Sequence, residues 1–282
     1  MSRKKKITLI TTGIVVAIIL IIGGTIGGMA WHKSNQANDA KDDYAKSYQK
    51  AKDGKTKSID ILKKAGDDAS DKGSKGSKGS KGSKGSDVKP GSLLDKAFPD
   101  KNDTYGHYNG INRATLQDVR DFMNGDNGTR GQYDRVINNY ASGSINIPSI
   151  NTKLPVIEGT SDQHLLAGAT TYRPNQSIAK GNYVLLGHNV GYEGMLFSSL
   201  PQVKKGAKIT VNSYVDGQLK QQSYKVTEKE TVKATEGQVL DNTDNRKLTL
   251  ITCDVPHETS NRVVVTAEPI LSLIHISDGA RE

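Results

Sequence analysis

The chain has 282 residues, one cysteine and a formal net charge of +9. This length fits one domain of ordinary size together with an anchor and a linker. One cysteine excludes an intramolecular disulfide. The charge does not indicate nucleic-acid binding, because four of the charges lie at residues 3–6 and five more in a low-complexity linker. An exposed basic tether of this kind favours anionic lipid headgroups or wall polymers.

The N-terminus predicts a single membrane anchor. The basic residues 1–6 precede an uncharged stretch at 7–31. At 1.5 Å per residue, about 24 helical residues span roughly 36 Å, enough to cross a bilayer. The basic residues favour a cytoplasmic N-terminus with the rest of the chain outside the cell. A cleaved signal peptide is the alternative, but its apolar core would be only about 7–15 residues long.

Glycines lie close together on the outer half of this stretch, at positions 23, 24, 27 and 28. They form two overlapping Gly-x-x-x-Gly pairs, a spacing that lets two membrane helices approach closely and form a weak dimer. Glycine is also common in membrane helices that do not pair, and this second interpretation is the favoured one.

Residues 32–90 are predicted to form an extracellular flexible linker. Residues 33–70 are rich in Lys, Asp, Ala, Ser and Gln with few large apolar residues. Parts of them can form a solvated helix, but we expect no core there. Five tandem Lys-Gly-Ser copies follow at residues 72–86. On Gly/Ser statistics this repeat is a coil spanning about 20 Å, which indicates a spacer between membrane and folded domain.

A helical N-terminal extension is predicted at residues 91–132, followed by a β-rich domain at 133–270. Short helices are indicated at residues 92–98, 114–123 and 131–140, where apolar residues recur at helical spacing. Short β-rich runs alternate with turn residues and lie at 144–150, 153–157, 182–187, 207–215, 222–233, 247–253 and 262–268. Many short strands with few long helices predict a closed barrel or a sandwich, and the pattern does not choose between them.

The lone thiol is a candidate nucleophile. Cys253 ends the predicted strand at 247–253, and turn-forming residues follow it at 254–256. A thiol at the tip of a rigid strand is held in place yet reachable, which suits a nucleophile. On this observation alone, a buried cysteine acting as a small hydrophobe is an equal alternative.

Two more residues at strand ends favour the nucleophile. His188 ends the apolar run at 182–188, and Arg262 opens the one at 261–268. An imidazole can accept the proton of a thiol or stand beside a thiolate as a cation. A guanidinium cannot act as a base, but it can hold a substrate carbonyl or stabilise an oxyanion.

Taken in chain order, these motifs resemble those of the sortases, the cell-wall transpeptidases of Gram-positive bacteria. The sortase signature is a His, then Thr-Leu-x-Thr-Cys, then an Arg about eight or nine residues on; here it stands as Leu-Gly-His-Asn at 186–189, Thr-Leu-Ile-Thr-Cys at 249–253 and Arg262. The resemblance spans residues 133–270 and is greatest to the class A, housekeeping type. It implies a mainly β fold, an eight-stranded β-barrel with short helices, here preceded by a transmembrane helix and a flexible linker.

The resemblance also implies roles for these residues. Cys253 attacks the carbonyl after Thr in a Leu-Pro-x-Thr-Gly sorting signal and forms a thioacyl-enzyme. His188 protonates the leaving amine and later deprotonates the incoming one, while Arg262 holds the substrate backbone or the oxyanion. The implied partners are surface-protein precursors with C-terminal sorting signals and the amine of a peptidoglycan precursor such as the lipid II cross-bridge. No cofactor is implied.

The neighbours of these residues are predicted to bind substrate; they are Leu186, Ile251 and Thr252. For Thr252, whose hydroxyl precedes the nucleophile, a role in strand packing is equally open. The chain matches the family pattern only as far as residue 270. The tail at 271–282 has no counterpart in that pattern, and its apolar part is too short to span a membrane.

Other ligands and bases were considered. His257 lies four residues after Cys253 and is a rival base, although a tight turn after a strand end favours a solvent-facing side chain. His164 is predicted to be a surface or packing residue. No Cys/His spacing resembles a zinc site. Some sortases bind calcium through acidic residues, but residues 171–180 carry no carboxylate, so no metal is expected. A different acidic cluster remains open, formed from Glu158, Asp162, Asp241 and Asp244.

Two other functions compete with the housekeeping one. A pilus-polymerising sortase would usually carry an aromatic lid motif, which residues 92–130 lack, and a C-terminal membrane helix. A non-catalytic, wall-associated binding module would not need an intact Cys/His/Arg set. A papain-like peptidase normally has its Cys ahead of its His, the reverse of the order here.

Overall fold

The computed structural model describes residues 3–59, 113–125, 131–173, 176–215, 217–257, 259–270 and 274–275, except for the side chains of residues 3–24, 26, 27, 274 and 275. The predictions for the repeat at 72–86, the helix at 92–98 and most of the tail lie outside these residues, as do most side chains of the stretch at 7–31. Among the helices as described, none is long and apolar enough to cross a membrane. The chain forms two compact units, Met1–Asp39 and Ala40–Glu282.

The described helices are α1 (Arg3–Lys52), α2 (Leu116–Asn124), α3 (Gly131–Tyr140) and α4 (Asp162–Ala167). A capping box starts α2: the Thr115 hydroxyl accepts from the Asp118 amide over 3.2 Å, and the Asp118 carboxylate accepts from the Thr115 amide over 2.7 Å. Gly125, with φ of 67°, ends this helix. The helices predicted at 114–123 and 131–140 are therefore confirmed.

The strands are β1 (Ala141–Ile147), β2 (Thr152–Ile157), β3 (Ala169–Thr171), β4 (Asn182–Leu186), β5 (Lys208–Val215), β6 (Gln218–Lys233), β7 (Lys247–Cys253), β8 (Asn261–Pro269) and β9 (Ile274–His275). The first eight follow one another in the order β5-β1-β2-β3-β4-β7-β8-β6, and pairing of β6 with β5 closes the sheet. Only β2–β3 and β4–β7 among these pairs are parallel. The predicted eight-stranded barrel is confirmed.

Short 3-10 turns join some of these strands at Pro148–Ile150, Leu200–Gln202 and Gly237–Leu240. The first corrects the strand predicted at 144–150. Pro148 has no N–H to give to a ladder, and Asn151 takes a left-handed conformation at φ 49°. The strand therefore stops at Ile147 and the chain turns directly into β2.

The segment 40–59 is part of the folded domain, which corrects the prediction that residues 32–90 are a flexible linker without a core. The Tyr44 side chain is only 1% exposed. Its ring meets that of Tyr133 edge-on at 6.3 Å, and its hydroxyl donates to the carbonyl of Leu166 over 2.7 Å. Farther on, the hydroxyls of Thr56 and Ser58 both donate to the carbonyl of Ala141.

A narrow stripe of buried side chains along α1 explains this packing. On α1 the buried residues of the segment recur at helical spacing, and they are Ala40, Tyr44, Ser47, Tyr48 and Ala51. Two large rings on one side of a helix are enough to dock it, even when the composition of the segment is polar overall.

Candidate active site

Three strand ends bring Cys253, His188 and Arg262 together. Cys253 is the last residue of β7, and Arg262 of β8 is its Cα partner across the antiparallel pair. The parallel pairing of β4 with β7 runs to Leu186 and Ile251. His188 follows Leu186 by two residues and therefore continues the register to the level of Cys253. At this end of the strands, positions 188, 253 and 262 form one row. Within it, Cys253 and Arg262 are cross-strand neighbours, whose Cβ atoms lie about 5 Å apart.

His188 occupies a buried position at the end of β4. Its side chain is 9% exposed. Burial lowers the pKa of His188 to about 4, although the carboxylates of Asp162 and Asp118 act against the shift. At neutral pH the imidazole is therefore uncharged and able to accept a proton. Its carbonyl accepts from the Phe197 amide over 2.9 Å, and a Cβ at Gly187 would come within 2.6 Å of the Phe197 ring.

Arg262 is held by the loop that joins β7 to β8. Its Nη1 donates to the carbonyl of Asn261 over 2.9 Å and to that of Thr259 over 3.3 Å. The Asn261 amide donates to the carboxylate of Asp254 over 3.2 Å, which ties the two ends of the loop together. The guanidinium is thus fixed at the same end of the strands as the half-buried thiol of Cys253.

An apolar cluster lies next to this row on the same face of the sheet. Its nearest members are Leu186, Ile251 and Val264, which are cross-strand neighbours one step from the row. The whole cluster comprises Leu165, Tyr172, Val184, Leu186, Leu240, Ile251 and Val264, with Val232 and Val239 packed against it. Because α4 and the turn before β7 supply part of it, this is the outer face of the barrel.

A polar network holds the turn that supplies Leu240. The guanidinium of Arg173 donates to the carbonyls of Leu240 over 2.8 Å and Asn182 over 3.0 Å. The buried amide of Asn182 donates to the carbonyls of Val239 over 3.2 Å and Asp241 over 2.9 Å. Neither residue was predicted from the sequence, because all but one of these partners are backbone carbonyls about 60 positions away. The one indication in the sequence was Arg173, a positively charged residue in a segment (171–180) that has no carboxylate to pair with it.

Comparison with known proteins decides the family. A family model described as Sortase domain matches residues 145–270. The chain is 34% identical over 103 residues to the protein named Putative sortase YwpE of Bacillus subtilis, a match that covers 36% of the chain and 97% of that protein. The chain belongs to the sortase family.

Longer relatives of this sortase are matched over part of their length. Sortase A of Listeria monocytogenes is 47% identical over 126 residues, which cover 45% of the chain and 55% of that protein. The crystal structure of Listeria monocytogenes sortase A is 43% identical, covering 49% of the chain and 92% of its own, with a TM-score of 0.45. The chain spans about half the length of the sortase A proteins that it matches.

The predicted substrate-binding residues of this sortase are divided between the two faces of the sheet. Leu186 and Ile251 lie in the apolar cluster on the face of Cys253. Successive side chains of a strand point to opposite faces, so Thr252 points away from Cys253, and it is buried. This placement favours the strand-packing role for Thr252, and its hydroxyl has no hydrogen-bond partner among the described residues.

The rival histidines of the sortase lie apart from the row. His257 is exposed in the loop after β7. His164 is buried and donates from Nδ1 to the carbonyl of Gly159 over 2.9 Å. Its ring packs against that of Tyr140, with centroids 4.4 Å apart and the planes tilted by 46°. It is a packing residue, one of the two roles predicted for it. His32 lies on α1, and His107 lies outside the described residues.

The acidic residues considered for calcium do not converge. Within the described part of the chain, no group of three or more His, Cys, Asp or Glu side chains could hold a metal ion. Glu158 instead accepts hydrogen bonds from the hydroxyls of Ser142 over 2.6 Å and Thr171 over 3.0 Å. Asp241 and Asp244 are exposed.

Proposed function

We propose that this sortase is a cysteine transpeptidase that cleaves Leu-Pro-x-Thr-Gly-type sorting signals between Thr and Gly. The observation that carries the proposal is the row of Cys253, His188 and Arg262 beside an apolar cluster. A thiol at a strand tip, an uncharged imidazole level with it and a guanidinium across from it are the groups that acyl transfer from a peptide requires.

In the first half of the reaction, the Sγ of Cys253 attacks the carbonyl carbon of Thr while His188 takes the thiol proton. Arg262 stabilises the negative charge on the carbonyl oxygen. The bond between Thr and Gly then breaks, and the imidazolium gives its proton to the departing Gly amine. The product is a thioester between Cys253 and the Thr end of the surface protein.

In the second half, an amine attacks the thioester and gives a proton to His188. The carbon–sulfur bond breaks, the thiolate of Cys253 recovers a proton from the imidazolium, and a new amide bond joins the two substrates. The acceptor is the amine of a peptidoglycan precursor such as the lipid II cross-bridge. Both steps use the same three side chains, so no cofactor is required.

The edge of the apolar cluster gives the signal a place to bind. The cluster itself is buried, with Leu186 and Ile251 each only 3% exposed. The Leu and Pro of the signal lie over its edge, so that the Thr carbonyl reaches Cys253, and their apolar area gains about 25 cal/mol for each Å² that is covered. The fixed turn at Leu240 forms the wall on one side of them.

The protein acts outside the cell from a membrane anchor at residues 7–31, with its N-terminus in the cytoplasm. Support comes from the sequence: the basic residues before this uncharged stretch favour the cytoplasmic side. The protein substrates are surface-protein precursors with C-terminal sorting signals. The Gly-x-x-x-Gly pairs in the anchor would also permit a weak dimer within the membrane, but membrane glycines that do not pair stay the favoured interpretation.

The test uses the full chain in detergent with Leu-Pro-x-Thr-Gly peptides that differ at the variable position, and a set of candidate amines. Mass spectrometry should find cleavage between Thr and Gly, a thioacyl adduct on Cys253 and a ligated product. Cys253→Ala should abolish all three and keep the unfolding temperature. His188→Ala should lose at least ~10²-fold in transfer, whereas the exposed His257→Ala should lose little.

Different outcomes separate the competing functions. Peptide binding without cleavage by the intact chain would favour the non-catalytic binding module. Transfer to a lysine side chain of another surface protein, and not to a precursor amine, would favour the pilus-polymerising type. Turnover that persists in Cys253→Ala would contradict the proposal altogether.

A further inference from the structure

The parallel ladder that aligns β4 with β7 stops just before His188. Its last Cα pair is Leu186 with Ile251. One more backbone hydrogen bond follows, from the Gly187 amide to the carbonyl of Ile251 over 3.1 Å. The position of His188 along the strand direction relative to Cys253 therefore depends on the contacts made by the residues that follow β4 and β7.

A side chain makes the next connection. Nδ2 of Asn189 donates to the carbonyl of Cys253 over 3.0 Å. Its Oδ1 accepts from the amide of Gly191, also over 3.0 Å. Asn189 is 8% exposed, and both ends of its amide are engaged with the backbone. Its hydrogen bond to Cys253 extends the connection between the two segments beyond the end of the ladder, at the residue that directly follows His188.

Hydrogen bonds and close contacts around Asn189 restrict its movement. The amide of Val190 donates to the hydroxyl of Ser198 over 2.9 Å. Gly191 has φ of 77°, and a Cβ there would come within 3.0 Å of the Pro256 ring. The loop after His188 and the loop after Cys253 thus touch, and Asn189 is the hydrogen-bonded link between the backbones that carry the two groups.

We infer that Asn189 is a positioning residue that holds His188 level with Cys253 by bridging the Cys253 carbonyl and the Gly191 amide. This inference rests on the proposed transpeptidase function, in which a proton passes twice between the imidazole and the sulfur. Proton transfer needs heavy atoms within hydrogen-bond reach. A misplacement of about 1 Å between reacting groups can cost about 10²-fold in rate. Both polar atoms of Asn189 are engaged with the backbone and the residue is 8% exposed, so we expect its loss to act on the chemical step and not on peptide binding.

Two variants and one control test the assignment in the full chain. Asn189→Ala removes both hydrogen bonds. Asn189→Asp keeps the volume and the acceptor for Gly191 but replaces the donor to Cys253 by an acceptor. We expect both to lower kcat about 10- to 100-fold with KM unchanged within about twofold. The control is Asn212→Ala, a buried amide on β5 that donates to the hydroxyl of Ser144 over 2.9 Å. It should lower the unfolding temperature and leave kcat unchanged.

A second readout does not depend on the peptide reaction. Cys253 is the only cysteine of the chain, so the rate of alkylation by iodoacetamide reports its reactivity alone. The pH profile of this rate should move in both Asn189 variants from that of the wild type toward that of His188→Ala. The profile of Asn212→Ala should match the wild type.

The outcomes distinguish the positioning role of Asn189 from the proposed transpeptidase function. Shifted alkylation profiles in a protein that does not process any peptide would leave the positioning role intact and overturn the proposed function. Wild-type profiles, or a wild-type kcat, in folded Asn189 variants would overturn the positioning role and leave Asn189 as a structural amide like Asn212. If Asn189→Ala does not fold, Asn189→Ser decides, because it also removes the donor to Cys253 but adds no charge beside His188 and Cys253.

Discussion

The buried imidazole of His188 makes the stability of the protein depend on pH. Its pKa is about 4 in the folded chain and near 6.5 in an unfolded one. Between these values the unfolded chain binds more protons, so acid favours unfolding. The stabilisation is complete above pH 6.5 and is lost as the pH falls toward 4. The free energy of unfolding attributable to His188 should drop by about 3 kcal/mol at most.

Urea unfolding of the wild type and of His188→Gln at pH 7 and pH 4.5 measures this contribution. Burial lowers the pKa of His164 as well, but His164 is present in both proteins and cancels in the comparison. We expect the wild type to lose more stability on acidification than the variant. Equal losses would mean that His188 is solvated in the native protein.

The guanidinium of Arg262 should not be replaceable by an ammonium. Its Nη1 contacts two loop carbonyls at once, and only a planar fork can hold that geometry while donating to a substrate. Arg262→Lys should therefore lower kcat/KM for the sorting-signal peptide by at least about 10²-fold, although the charge is kept. Steady-state kinetics decide the point, with the unfolding temperature as the check on folding. Near-wild-type rates would reduce Arg262 to an electrostatic or structural residue.

At the level of residues, the sequence predicts some functional groups and is silent on others. Cys253, His188 and Arg262 are candidates because each stands at the end of an apolar run and has a distinctive chemistry. Asn189, Arg173 and Asn182 could not be assigned, because their role is to bind backbone carbonyls. Such contacts leave no pattern in the local sequence and become visible only when the strands are placed side by side.

The turn before β7 is the element on which substrate affinity should depend. Arg173 contributes two hydrogen bonds to it, and hydrogen bonds from a charged donor are worth about 1.5–3 kcal/mol each. Arg173→Met should loosen the wall at Leu240 and raise KM for the sorting-signal peptide about tenfold or more, with kcat nearly unchanged. Arg135→Met, an exposed arginine on α3, is the matched control. A fall in kcat at constant KM would show that the turn acts on the chemistry and not on binding.

The same turn should make the protein indifferent to calcium. Its carbonyls are held by Arg173 and Asn182, and residues 171–180 supply no carboxylate for a cation that prefers several anionic oxygens. Peptide cleavage should proceed at the same rate with millimolar calcium or with a chelator. A several-fold activation that disappears in Asp241→Asn or Asp244→Asn would reveal a site formed by the other acidic residues.

At the level of elements, the length and the hydrophobic periodicity of each strand or helix decided whether it could be predicted from the sequence. The strands β4, β7 and β8 lie close to the apolar runs that predicted them, because their central residues are buried on both faces and the only polar residues between the ends of these runs are threonines, which favour strands. β3 has only three residues, too few for any periodic signal. The segment 40–59 was wrongly predicted to be a linker, because the prediction used its average composition. Its packing depends instead on a few buried side chains, above all Tyr44 and Tyr48.

At the level of the whole molecule, the pattern of strands left barrel and sandwich open, and only the family resemblance chose the barrel. The deciding contact is the pairing of β6 with β5, which closes the sheet. Closure depends on twist and on long-range register and not on the composition of either strand. A sequence motif can carry this information only through a known relative that has the same fold.

The docked segment 40–59 gives the last prediction. If it belongs to the folded domain, a chain that starts at residue 40 should be more stable than one that starts at residue 88, although both contain every strand of the barrel. Tyr44→Ala in the longer chain removes a buried ring and should cost about 3 kcal/mol. Lys46→Ala, whose side chain is 73% exposed on the same helix, should cost almost nothing. Equal urea midpoints for the two chain lengths would restore the interpretation of this segment as a linker.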